Sequence, residues 1–178
     1  MPEVLIIFHF PNISFFLFGN QYIKYLYPPS FMSHQKVLLR VYNLASPQTL
    51  FFCKTLGLNF KGIWHSSIVV YDKEYFYSSG IRNTQPGFSG YGMHVYEHDM
   101  GETLIQHEIF IEYLESINGD YNVDTYHVLK NNCNHFIDDV IKFLLDKTIP
   151  EYIHECLKII EESPHREIIE NIIKNVRF

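Results

Sequence analysis

Cysteine is scarce: 178 residues hold three, at positions 53, 133 and 156. An odd count at wide spacing gives neither a disulfide framework nor a CxxC zinc pattern, and points to a reducing compartment, the cytoplasm and also the nucleus. Basic residues are few as well. Fourteen Lys and Arg stand against 20 Asp and Glu, for a net charge of −6. No basic cluster interleaved with aromatics offsets that balance, which excludes a nucleic-acid backbone as the main partner. Long apolar runs are missing. The candidate from Val4 to Phe18 is broken by His9, Pro11, Asn12 and Ser14, and is too short and interrupted for a membrane span. Only Glu3 stands before it as a charged residue, where a secretory signal needs cations. There is no internal repeat and no low-complexity segment.

What is present is a globular composition, 47% apolar and 16% aromatic, in a chain long enough for one domain with a real core. Residues 1–35 read as an N-terminal extension. Tyr22 to Tyr27 is aromatic and mildly basic, then Pro28-Pro29 interrupts. Three readings stay open: a flexible tail, a weak targeting or membrane-surface segment, or sequence outside the natural domain start. The first and third are preferred, because an ordinary domain pattern begins at Met32.

Val37 to Tyr42 alternates as a strand. Ser46-Pro47 is a cap followed by proline at the first helical position, and opens a helix through Leu50, Phe51 and Leu56 that Gly57 ends. Cys53 on that helix is assigned to the core. Ile63 to Tyr71, rich in β-branched and aromatic residues, and Tyr75-Phe76-Tyr77 suggest a hairpin around Asp72-Lys73. Ile81 to Gly92, with Pro86-Gly87, is expected as a long loop, and Met93 to His98 as a further strand. Gln106 to Ser116 is expected as a helix burying Ile109, Phe110, Tyr113, Leu114 and Ile117, stopped by Asn118-Gly119. Thr125 to Leu129 reads as a short strand. Glu151 to Glu162 and Arg166 to Val176 read as two closing helices, split by Ser163-Pro164.

The strongest periodicity follows Cys133. Phe136, Ile137, Val140, Ile141, Leu144 and Leu145 form the stripe of an amphipathic core helix, and Asn132 stands where a short polar side chain caps it. Cys133 then lies in the first turn, where the helix dipole favours a thiolate and lowers a cysteine pKa. The plain alternative is a small apolar residue at the start of a buried stripe. A nucleophilic cysteine needs a base, and ten histidines compete. His135 is offset by two positions and falls on another helix face. His127 reads as a packed, hydrogen-bonded histidine. His94 and His98 have i, i+4 spacing, but the local pattern is strand or loop, and no carboxylate completes a zinc signature; no metal or cofactor is expected. His65, flanked by Trp64, Ser66 and Ser67 on an expected interior strand, is the better candidate, since a strand positions an imidazole rigidly. A strand histidine with a helix-starting cysteine is the layout of papain-type sites.

Gly62 through Tyr71 resembles the histidine motif of the PPPDE family, the permuted papain-fold peptidases that include deSUMOylating isopeptidases. The resemblance continues in order through Tyr75-Phe76-Tyr77, Gly80-Ile81, Pro86-Gly87, Gly101-Glu102-Thr103, Glu108 to Leu114, Tyr126 to Leu129, Asn132-Cys133-Asn134-His135-Phe136 and Ile149 to Ile153. It implies a PPPDE domain over 36–153, with 154–178 as a C-terminal helical extension. It implies an α+β, circularly permuted papain-like fold, with an antiparallel sheet carrying the histidine against a central helix that starts at the cysteine. It also implies a cysteine isopeptidase with a His65–Cys133 dyad, acting on SUMO or ubiquitin conjugates, and a homodimer as one assembly. Two other functions stay open: acyl chemistry, either as an acyltransferase, given a similar Asn-Cys-x-His-Phe string in the lecithin-retinol acyltransferase group, or as a thioesterase on acylated proteins with the same dyad within the PPPDE family, and a catalytically silent binding module.

Overall fold

The computed structural model describes residues 33–174, the last three by backbone alone, and the backbone of three short strands before them. Those strands, β1 (Ile7–Phe10), β2 (Ile13–Phe18) and β3 (Gln21–Tyr25), pair in order as an antiparallel meander. The Pro28-Pro29 break, the Met32 start and the end of the last expected helix lie outside the described residues. The chain divides into two compact units, Met1–His34 and Gln35–Phe178. The second carries the sheet that organises the site.

Its first strand, β4 (Gln35–Asn43), buries Val37, Leu39 and Val41 completely while the residues between them are more exposed. That alternation sets one inner face. After β4, helix α1 (Pro47–Thr55) is capped by Ser46, whose hydroxyl accepts from the N–H of Thr49, as the Ser-Pro pair predicts. Strand β5 (Trp64–Val70) follows, buried along nearly its whole length, then β6 (Lys73–Ser78), β7 (Gly80–Thr84) and β8 (Tyr96–Thr103). The five strands are antiparallel in the order β7-β6-β5-β4-β8. β5, with His65 near its start, is therefore the central strand.

The turn between β5 and β6 is Tyr71-Asp72, not Asp72-Lys73. Val70 pairs with Lys73 and both turn residues have positive φ, which is the two-residue hairpin turn that matches sheet twist. Part of the expected loop from Ile81 is strand β7. Its polar Arg82, Asn83 and Thr84 pair on an edge, where no apolar alternation announces a strand. The next strand begins at Tyr96 rather than Met93, with a bulge where Gly101 faces Val37 and Asp99 faces Leu38. The expected strand Thr125 to Leu129 is a turn. His127 and Asn131 exchange backbone bonds across it, and Asn131 Nδ2 donates to the carbonyls of Asp120 and Thr125.

Helix α2 (His107–Ser116) buries Ile109, Phe110 and Leu114, while Tyr113 and Ile117 are half-buried. Helix α3 (Cys133–Leu145) lies against β5, β6 and β8. Phe136, Ile137, Val140 and Ile141 have no exposed surface, each worth roughly 1.5–3 kcal/mol of burial. The cap by Asn132 is worth about 1 kcal/mol, so packing holds α3 in place and the cap trims its end. Helices α4 (Tyr152–Glu161) and α5 (Arg166–Lys174) follow. Cys156, Leu157, Ile160 and Ile169 pack with Cys53, Leu58, Phe60 and Ile63 into a second apolar cluster. No helix among the described residues is long and apolar enough to cross a membrane.

Candidate active site

The N-terminus of α3 is tied to β5 by Asn134. Its Oδ1 accepts from Ser66 Oγ at 2.8 Å, and its Nδ2 donates to the carbonyl of Trp64 at 2.9 Å. These bonds grip the residues on either side of His65. The backbone N–H of Ser66 also acts on the Cys133 sulfur. Cys133 and His65 therefore stand on two elements, α3 and β5, that Asn134 ties together. Asn134 is almost fully buried; the sequence suggests only capping for it, because its partners lie some 70 positions away. Asn134→Ala would leave a buried carbonyl and hydroxyl unpaired. It is expected to lower unfolding stability by about 2–3 kcal/mol, read as a shifted urea midpoint with unchanged slope.

Asn132 caps α3 as expected. Its Oδ1 accepts from the N–H of Asn134 and of His135, and the His135 ring returns to the cap in a capping box. His135 is thus a first-turn capping residue. His127 Nδ1 accepts from the N–H of Leu129 and Lys130 inside the turn. His98 Nε2 bonds the Tyr152 hydroxyl at 2.8 Å, and His94 Nε2 faces Glu97 at 3.7 Å. The i, i+4 pair is thus spread over separate partners, and no group of metal-ligating side chains occurs among the described residues.

His65 has no exposed surface, and neither ring nitrogen has a hydrogen-bond partner among the described residues. Aromatic rings enclose it: Tyr91 stacks at 3.7 Å, with Tyr42 at 5.9 Å and Phe76 at 6.1 Å. Burial pulls its pKa down to about 3, against an opposite pull from the Glu74 carboxylate. Cys133 is also buried, and its nearest side-chain acceptor is Asn134 Oδ1 at 3.7 Å. Burial pushes its thiol up to about 12, although the N–H groups of Ser66, Asn134 and Cys133 itself pull the other way. This corrects the expected lowering at a helix N-terminus: first-turn dipoles do not offset complete desolvation. No hydrogen bond joins the two groups.

Glu74 is the residue that sequence reasoning missed. Its buried carboxylate accepts from Tyr42, from Ser67 Oγ at 2.7 Å, from the Gly87 N–H at 2.7 Å and from Arg40 at 3.1 Å. A lone glutamate after a turn gives no sequence signal; only strand pairing brings its partners together. Behind Cys133 lies an apolar cavity lined by Trp64, Tyr126, Val128, Cys156 and Ile160 among others, with a volume of about 10 Å³. That is room for about one water, not for an acyl chain.

The model for the "PPPDE putative peptidase domain" matches residues 35–173. The chain belongs to the PPPDE peptidase family. The match spans the sheet, α3, α4 and most of α5. Among its PPPDE relatives, desumoylating isopeptidase 1 of Xenopus laevis is 36% identical over 125 residues, covering 69% of this chain and 74% of that protein. The proteins of the same name from Rattus norvegicus and Homo sapiens are 34% and 33% identical over the same shares.

Proposed function

We propose that this PPPDE protein is a cysteine isopeptidase that removes a SUMO-type modifier from lysine side chains, with Cys133 as nucleophile and His65 as base. The observation that carries the reading is the Asn134 bridge, which holds the first turn of α3 against the two neighbours of His65. A histidine strand that precedes a cysteine helix in the chain fits a circularly permuted papain-like arrangement. The names of the relatives supply the modifier class. Three free, buried cysteines fit a reducing compartment.

In the proposed reaction His65 takes the Cys133 proton, and the thiolate attacks the carbonyl carbon of the modifier's C-terminal glycine. The backbone N–H of Cys133 at the helix N-terminus donates to the oxyanion. Collapse breaks the carbon–nitrogen bond, and the lysine amine leaves with the proton held on His65. A water deprotonated by His65 then attacks the thioester, releasing the modifier carboxylate and restoring the thiol. Side-by-side treatment with SUMO and ubiquitin C-terminal electrophiles is expected to give a SUMO adduct on Cys133, located by peptide mapping. An unmodified Cys133 with both probes would end this reading, and a ubiquitin adduct alone would change the modifier.

A further inference from the structure

The loop joining β7 to β8 lays one aromatic ring directly on the His65 imidazole. Tyr91 stacks on it with ring centres 3.7 Å apart and planes 30° apart. The same residue is within electrostatic range of Cys133. Beneath that ring His65 has no exposed surface and two nitrogens without a partner among the described residues. Buried polar atoms without partners call for an explanation. A base must come within hydrogen-bond reach of the proton it moves, and an imidazole with no exposed surface cannot meet an incoming substrate group until its surroundings open.

The loop is fastened at both ends, and between them Tyr91 packs on Tyr42, His65 and Phe76. The Gly87 N–H donates to Glu74 at 2.7 Å, and the Val95 N–H donates to the Val41 carbonyl at 2.8 Å. Between those anchors Phe88 and Met93 are 75% and 90% exposed, so Tyr91, not these two side chains, is what packs inward. Gly90 and Gly92 flank Tyr91 at φ +88° and +81°, and a Cβ built on either meets nothing within 4 Å. Space does not demand glycine there; the backbone conformation does.

We propose that Tyr91 is a gate over the His65–Cys133 pair, closed in the resting protein and swung aside on Gly90 and Gly92 to admit the substrate. The proposal rests on the reading of those two residues as the catalytic pair. Closure keeps the thiol from small electrophiles, and opening readmits water and substrate to both groups.

Iodoacetamide labelling of the full chain, followed by peptide mapping, tests the gate without any modifier. Tyr91→Gly is expected to speed Cys133 alkylation at least about tenfold. Tyr91→Phe keeps the stacked ring and loses only the hydroxyl, so its rate stays within about threefold of the parent. The double variant Gly90→Ala/Gly92→Ala keeps Tyr91 and introduces no clash. Alanine at positive φ strains only the closed loop, by about tenfold in equilibrium per glycine, so alkylation again accelerates. Parent rates in both Tyr91→Gly and the double variant overturn the gate. An equal acceleration at Cys53, buried in the second cluster, shows general loosening and overturns it too. Alkylation that responds to Tyr91 while the SUMO electrophile leaves Cys133 untouched keeps the gate and removes the isopeptidase reading. A SUMO adduct with alkylation indifferent to Tyr91 does the reverse.

Discussion

Cys133→Ala and His65→Ala are each expected to lower turnover of a SUMO conjugate by about 10⁴-fold or more, because the members of a nucleophile–base pair act as a unit. The double variant should then lose little beyond either single one. Cys53→Ala and Cys156→Ala, which remove buried thiols outside the pair, should keep turnover wherever the chain stays folded. Retained cleavage in either dyad variant would refute the assignment. The same histidine carries a stability signature. Its folded pKa, about 3, lies below the ordinary histidine value, so folding favours its neutral form. The stability it contributes is present above the unfolded pKa and is lost as pH falls from about 6.5 towards 3. At pH 5 the loss reaches about 2 kcal/mol. His65→Gln, which cannot take up a proton, should flatten the fall in unfolding free energy between pH 7 and 5.

Glu74→Leu is expected to destabilise the fold by about 3–5 kcal/mol, the cost of removing one partner from a buried ion pair. It strips Tyr42, Ser67 and the Gly87 N–H of their acceptor and leaves Arg40, whose side chain is 14% exposed, with Glu97 alone. For a chain of this size the melting temperature should fall by roughly 10 °C or more. A drop of only a degree or two would show that the cluster is dispensable. Burial by itself would raise the Glu74 pKa, but the bonds from Tyr42, Gly87 and Ser67 and the charge of Arg40 outweigh it and hold the carboxyl below its ordinary value. A carboxyl with a depressed folded pKa stabilises at neutral pH, and that contribution is lost as pH falls below the ordinary glutamate range. Acid unfolding should therefore come in two parts, with His65 losing its share first and Glu74 later.

Glu74 also links the fold to the gate. Its carboxylate fastens the start of the Tyr91 loop through Gly87, and the other oxygen is shared by Tyr42 and Ser67 on β4 and β5. The anchor of the loop and the wall of the His65 pocket are thus one buried cluster.

How much of this was legible beforehand differs from element to element. The α3 stripe, the Asn132 cap, the Ser46-Pro47 helix start and the buried β5 strand are written in local periodicity and capping chemistry. β7 was missed because an edge strand paired on one side needs no apolar alternation. The turn before α3 carries strand-like residues, yet Asn131 holds it through side-chain bonds that periodicity does not register.

The order of residues alone determined which histidine and which cysteine to consider, since a helix start and an interior strand are local properties carried by nearest neighbours. Tertiary structure alone decided their state. Complete burial reverses the effect of the helix dipole on Cys133, and a ring 26 positions from His65 in the chain covers its imidazole. Desolvation depends on everything packed around a group, and no local pattern contains it.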